Sequence, residues 1–400
     1  MNLAGRLDRL RGRPAEQTPD TLAHQLQRLD GRRTAKAVSP PRIDALARAL
    51  QADVHGDSLL LREHAYALPG CPGDPPDLTM LPEVQGLRDP DWVYLDTETT
   101  GLSGGVGNLA FMVGVARYTD ARTLSVRQYL LGSFAAEAVM LRELVDWVGR
   151  DAVLVSYNGK CFDLPLLDAR CAMQRVPDGG LGRLRHLDLM YTVRRAYRRY
   201  WPDCRLQTAE KRLLNLHRAG DLPGSEAPAA WQAWLRRGST APLGGVLQHN
   251  FQDVASLALL HCDLLRDYAG RGEARVDHAA ISRAWQQAGH ESLACRVLEA
   301  AGAHLDEAGT LQLAALYRRC GEWARAEALW LQLHAAGSTL AASELSKYYE
   351  HRRRDYRRAI DFAAVCEPSE RSTRCGRLQG KIGSNLPLPL GGGIAGSNTP

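Results

Sequence analysis

The chain is short of lysine. Only five of its fifty cationic residues are Lys, namely Lys36, Lys160, Lys211, Lys347 and Lys381, and the rest are Arg. The net charge is only +5. With the high Ala and Gly content, this bias reflects a GC-rich coding sequence as much as a binding need, so composition alone does not argue for nucleic acid. The nine cysteines form no Cys-x-x-Cys pair. That excludes a zinc ribbon and leaves no disulfide framework. Free thiols fit a reducing compartment, so a cytoplasmic protein is expected. No apolar run is long enough to span a membrane as a helix. Arg6, Arg9, Arg11 and Arg13 are followed by no apolar stretch, so no signal peptide is expected at the N-terminus. The Gly-rich stretch Gly101 to Gly107 lacks the Gly-Lys-Ser/Thr ending of a P-loop.

The 400 residues are enough for two or three domains with cores of their own. Residues 1–88 read as an N-terminal extension. It has a loosely ordered Arg- and Pro-rich start, a candidate strand at Ser58-Leu-Leu-Leu, and a Pro/Gly linker at 69–76. From Trp92 the pattern is α/β. Strands are expected at 92–97, 109–118, 124–131 and 152–156, and a helix at 136–149. Three β-runs, a helix and a further strand give the order of a ribonuclease-H-like mixed sheet flanked by helices, expected over 89–270. Between 275 and 366 the period changes. Ala288-Gly289, with Ala294 beyond it, matches Cys320-Gly321 and Ala326 at an offset of 32, and Ala326 matches Ala359 at an offset of 33. An aromatic precedes each turn: Trp285, Tyr317, and Tyr348 or Tyr349. This is the pattern of tetratricopeptide-like helix pairs, although an ordinary helical bundle would also carry it. The tail 367–400 shows no periodicity and is expected to be unstructured.

Three acidic motifs carry the chemistry. The first is Trp92-Val-Tyr-Leu-Asp96-Thr-Glu98. On a strand, Asp96 and Glu98 at i, i+2 point to one face. Paired carboxylates repel, and a divalent cation such as Mg²⁺ or Mn²⁺, which takes oxygen ligands, removes the repulsion. The second is Tyr157-Asn158-Gly159-Lys160-Cys-Phe162-Asp163. The third is His249-Asn-Phe-Gln-Asp253, which opens an apolar-periodic helix. Four carboxylates could hold two divalent ions about 3.5–4 Å apart, the arrangement that hydrolyses phosphodiesters. His249 lies one turn before Asp253 and is either the general base or a residue that merely orients the site. Asn158 and the backbone after Gly159 are positioned for a nucleotide's sugar or phosphate. Asp188 reads as an extra acid or as a structural group. The run Arg194 to Trp201 reads as a single-strand track or as a solvated helix face.

These motifs resemble the DEDD exonuclease superfamily of ribonuclease-H-like nucleases, especially the proofreading domains of family B DNA polymerases. With the helical repeats behind them, residues 90–360 resemble the bacterial YprB-like family. The resemblance implies a 3′–5′ exonuclease acting on single-stranded DNA or RNA with two Mg²⁺ or Mn²⁺ ions. It makes Asp96, Glu98, Asp163 and Asp253 the metal ligands, and those four with His249 the catalytic set. It also implies that Thr97, Gly101, Leu102, Asn158 and Phe162 contact substrate, and that the repeats recruit a protein partner. One departure stands out. The related enzymes place Tyr four residues before the last Asp, or His one residue further away, whereas here His249 holds the tyrosine spacing. The competing reading is a catalytically weak nucleic-acid-binding scaffold. A hydrolase of small phosphate esters is a third.

Overall fold

The computed structural model describes residues 43–68, 77–101, 107–176, 180–218, 220–272 and 275–384. The Arg-rich start, the linker 69–76 and the last residues of the tail lie outside this set. Seven strands form one sheet in the order β1-β2-β5-β4-β3-β6-β7. They span Asp53–His55 (β1), Leu59–Ala67 (β2), Asp91–Thr99 (β3), Ala110–Asp120 (β4), Thr123–Leu131 (β5), Ala152–Ser156 (β6) and Arg185–Asp188 (β7). β6 runs parallel to β3 and β7 parallel to β6, while the remaining pairings are antiparallel. This is the mixed sheet that the order of β-runs predicts.

Side-chain alternation on β3 sorts the core into two faces. Trp92 and Tyr94 face one cluster, shared with Leu257, Leu260 and Leu264, whereas Val93 and Leu95 face the other, shared with Met140, Leu144, Trp231 and Trp234. β6 is buried along its whole length, as a strand between two parallel neighbours should be. The flanking helices are α1 (Ile43–Leu50), α2 (Glu137–Val148), α3 (Asp163–Met173), α4 (Leu189–Tyr197), α5 (Ala227–Arg237) and the 28-residue α6 (Ala241–Tyr268). α6 packs across β3, β4 and β5.

Two boundaries differ from the sequence expectation. Residues 53–67 belong to the sheet and not to a separate extension, because β2 pairs with β5 along its full length, from Leu59 opposite Leu131 to Ala67 opposite Thr123. The expected unstructured tail begins instead with a helix at Pro368–Ser384. It is anchored by the fully buried Leu378 and by Arg377 and Lys381, which both bind the buried Glu350.

The C-terminal helices stack in antiparallel pairs: α7 (His278–Gln287) with α8 (Glu291–Ala301), α9 (Glu307–Arg319) with α10 (Trp323–Ala335), and α11 (Thr339–Tyr348) with α12 (Tyr356–Ala363). The helix at Pro368–Ser384 (α13) closes the stack. Ala294, Ala326 and Ala359 are fully buried where paired helices cross. Gly289 and Gly321 turn the chain at φ +83° and +80°, a conformation that glycine adopts without strain. In the third pair Arg354 takes that role at φ 56°, after a π-helical turn at Tyr349–Arg353. Side-chain oxygens of Asp277, Asp306, Ser338 and Asp355 cap α7, α9, α11 and α12.

Candidate active site

β3 presents Asp96 and Glu98 at its C-terminal end, on the same face as Tyr94. α3 opens with Asp163, and α6 contributes His249, Asn250 and Asp253. The three stretches meet. The carboxyls of Asp163 and Asp253 both act electrostatically on Asp96 and on Glu98. Thr97 Oγ1 donates a hydrogen bond to Asp163 Oδ1. His249 Nε2 lies 3.6 Å from Asp253 Oδ2 and 3.9 Å from Glu98 Oε1.

The cost of this assembly shows in the proton affinities. Burial raises Asp96 well above the usual carboxylate range, and the charges of Asp253, Asp163 and Glu98 add to it. Burial, with the charges of Asp253, Asp163 and Asp221, pushes Glu98 up to about 8. Asp163 rises to about 6, again mainly by burial, although its bond from Thr97 works the other way. Asp253 is raised by burial despite the opposing charge of Arg218. Crowded, desolvated acids hold protons because their charged forms lack both water and counter-ions.

Three further acids and bases complete the site, and sequence reasoning missed them. Arg218 donates to Asp253, to Glu210 on both carboxyl oxygens (2.8 and 2.5 Å), and to Asp221 (3.1 Å). Burial opposes its charge, but Glu210 and Asp253 outweigh burial and raise its proton affinity. Glu210 sits on a π-helical turn, Glu210–Leu214, and is almost fully buried. Asp221 lies 2.9 Å from His249 Nδ1 through either oxygen, and Arg218 Nη1 is 3.3 Å from the same nitrogen. A carboxylate accepts, so the contact with Asp221 favours a ring hydrogen on Nδ1 and turns Nε2 towards Asp253 and Glu98. Nothing in the sequence spacing of Glu210, Arg218 and Asp221 marks them, since no shared periodicity or motif connects the three.

Asn250 lies inside the third motif, where sequence reasoning did not single it out. Its Nδ2 donates to Asp96 Oδ2 at 3.0 Å, and its Oδ1 accepts from Gln128 at 3.0 Å. A Cβ on Gly114 would lie 2.1 Å from Asn250 Oδ1, so the bare backbone at 114 makes room for this amide.

The second motif is a tight turn. Asn158 adopts φ 67°, and a Cβ at Gly159 would lie 2.3 Å from Ser156 Oγ. The backbone amides expected to face a nucleotide are already engaged. Asp188 accepts from Asn158 N (2.7 Å) and Lys160 N (3.1 Å), and Ser156 Oγ accepts from Gly159 N (3.2 Å). Asp188 is thus a buried turn-holder that also caps α4. Phe162 is half exposed beside Asp163. A Cβ on Gly101 would meet Asn108 Oδ1 at 2.6 Å, and Leu102 lies outside the described residues. In the Arg194–Trp201 run, Tyr197 is buried and stacks on Trp201, Arg195 binds Tyr268 and Glu83, and Arg199 binds Asp306. Tyr197, Trp201 and Arg195 thus serve packing, and Arg199 an exposed ion pair.

Among the described residues, no three His, Cys, Asp or Glu side chains already stand as a metal shell. The donor set nevertheless suits a hard divalent cation, because it consists of buried, mutually repelling carboxylate oxygens. The described cysteines form no disulfide, and no helix among the described residues is long and apolar enough to cross a membrane.

A family model of the RNase_H superfamily matches residues 93–264, which include all four acids of the cluster, Arg218 and His249. The uncharacterized protein YprB of Bacillus subtilis (strain 168) is 30% identical over 322 residues, a span covering 75% of this chain and 77% of that protein.

Proposed function

The chain belongs to the YprB family and carries a ribonuclease-H superfamily domain, and from that premise we propose that it is a metal-dependent 3′–5′ exonuclease on single-stranded DNA or RNA. The observation that carries this reading is the convergence of Asp96, Glu98, Asp163 and Asp253 from three separate stretches into one buried, self-repelling cluster. A fold tolerates such a cluster when cations are to be bound there.

Two Mg²⁺ or Mn²⁺ ions, when bound, would supply an activated water and screen charge on the leaving oxygen. The four carboxylates would hold them, with Asn250 fixing Asp96 and Thr97 fixing Asp163. His249 would take the proton of the attacking water at Nε2, and Asp221 would keep its ring in the right tautomer. Arg218 offsets part of the cluster's negative charge before cations arrive. Asn158, Phe162, Gly101 and Leu102 are the proposed substrate contacts, and the tetratricopeptide-like pairs the proposed partner surface. Cytoplasmic placement completes the reading.

A second reading draws on the Arg218–Asp253 contact. A site closed by its own arginine fits a catalytically weak scaffold that binds nucleic acid. One assay separates the two. End-labelled single-stranded DNA and RNA are incubated with the purified protein and Mg²⁺ or Mn²⁺, with EDTA as control. Stepwise shortening from the 3′ end is expected, and closed single-stranded circles should resist. Asp96→Ala and Asp163→Ala should each remove activity while leaving the circular-dichroism spectrum unchanged. Activity of Asp96→Ala within tenfold of the wild type would sink the proposed site.

A further inference from the structure

A second concentration of cations lies far along the chain, in the third helix pair. Two cavities, of about 430 and 640 Å³, share Trp323, Tyr348 and Arg352 in their walls. Trp323 stacks on Tyr348 with ring centroids 5.7 Å apart and planes 18° from parallel. The guanidinium of Arg352 lies 5.4 Å from the Trp323 ring centroid. Arg352 is exposed and makes no hydrogen bond or ion pair among the described residues. The cation lies within cation–π range of the Trp323 ring, and its N–H groups are left to a ligand.

Around the smaller cavity the cations outnumber the carboxylates, whereas in the larger one Arg325 and Arg353 are paired with Glu322, Glu299 and Glu327. Arg318 and Lys347 share a single carboxylate, Glu344, at 2.9 and 2.6 Å. Arg377 and Lys381 share Glu350, at 2.6 and 2.7 Å. Arg374 also lines the smaller cavity; its Nη2 is held by Glu370 at 2.6 Å, while its Nε is buried without a partner. The π-helical turn Tyr349–Arg353 and α13 create this arrangement. The wider turn brings Glu350 inward while Arg352 stays exposed, and α13 supplies Arg374 and Arg377. Such turns often mark functional places in helices.

We propose that this hollow binds the backbone of a single-stranded nucleic acid, as a second contact for the strand cut at the carboxylate cluster. The choice of ligand rests on the nuclease reading above. It is supported by the alternation of guanidinium and ammonium groups with aromatic rings, which takes up phosphates and bases together, whereas an acidic peptide would use the cations alone.

The test uses the full-length protein in EDTA and a fluorescein-labelled 20-nucleotide single strand, followed by anisotropy across a salt series. Arg352→Glu should weaken binding at least tenfold. The slope of log affinity against log salt should fall by roughly 0.7 for each phosphate that is no longer neutralised. Arg352→Lys should give an intermediate affinity, since it keeps the charge but not the planar fork. Lys347→Ala combined with Arg352→Ala should reproduce the weaker binding without reversing any charge, and melting curves within a degree or two of the wild type would confirm that the variants fold. Binding within twofold of the wild type in both Arg352→Glu and the double variant overturns the proposal. So does displacement of the strand by an oligoglutamate of equal charge at the same or lower concentration, which would make the hollow a groove for acidic protein segments. Because EDTA prevents cleavage, the two readings fail separately. Loss of binding in Arg352→Glu with no cleavage in any wild-type assay would keep the hollow and remove the nuclease. Cleavage with unchanged binding in Arg352→Glu would do the reverse.

Discussion

At the scale of single residues, the carboxylates dictate how the metal-free protein responds to pH. Glu98 keeps its proton in the folded protein up to about pH 8, against an ordinary value of 4.5. Asp163 keeps its proton to about pH 6, against 3.8. Between each pair of values the folded state binds more protons than the unfolded chain, so stability falls as pH rises through that window. In EDTA the melting temperature should therefore decline from about pH 5 to pH 8, following those two shifts. Glu98→Gln should flatten the upper part of the decline, and excess Mg²⁺ should blunt it in the wild type by replacing the protons. A melting temperature in EDTA that rises steadily over this range would contradict the buried cluster. His249 makes a kinetic prediction. If its Nε2 accepts the proton, His249→Ala should lower kcat by roughly 10²–10⁴. Asp221→Asn should lower kcat by a smaller factor with KM unchanged, because the imidazole stays but loses its tautomer anchor. His249→Tyr, which restores the residue found at this spacing in the proofreading enzymes, should retain more activity than His249→Ala. Near-wild-type kcat in His249→Ala would leave the histidine a packing group.

At the scale of elements, what the sequence revealed depended on periodicity. β3, β4, β5, α2 and β6 lie within a residue or two of their expected spans, because each alternates or repeats its apolar positions over five residues or more. The four acids were legible because each sits beside such an element. β2 is legible as a run, but not as a partner of β5, because strand pairing across 64 residues leaves no local trace. α13 is hidden because Gly376, Gly380 and Gly383 dilute its pattern and its anchor, Glu350, lies on another element. Arg218, Asp221 and Glu210 are hidden for a related reason: only the folded chain brings them to α6. The close fit between β4 and α6 is likewise a tertiary fact. Gly114→Ala should force Asn250 off Asp96, since the added methyl would overlap the amide oxygen. Overpacking of this kind costs about 1–3 kcal/mol. The destabilisation should be readable as a lowered urea midpoint together with reduced activity, and Gly114→Ala at wild-type stability would show that α6 has slack there.

At the scale of the whole molecule, the question is whether the nuclease half stands alone. A division near residue 270 is natural from the sequence, because all three acidic motifs precede it. The packing works against it. The core cluster holding Tyr94 and Leu260 runs on without a break through Tyr268, Ile281, Trp285 and Ala294. Trp285 Nε1 donates to the backbone oxygen of Tyr268 at 2.9 Å, and Asp277 N donates to that of Ala196 at 2.8 Å. Arg199 on the nuclease side binds Asp306, the residue that caps α9. A chain ending at Gly270 would uncover the C-terminal end of α6, the helix that also carries His249 and Asp253. Removing one buried Trp side chain alone costs about 3–5 kcal/mol in a protein core. The truncated chain should therefore melt well below the full-length protein and lose activity in proportion to its unfolded fraction. A chain ending after Ala301, which keeps α7 and α8, should recover most of both. If the chain ending at Gly270 instead melts within a few degrees of the full length and cuts short oligonucleotides at the same rate, the helical pairs are an independent module, and the continuity of the core across residue 270 contributes little to either half.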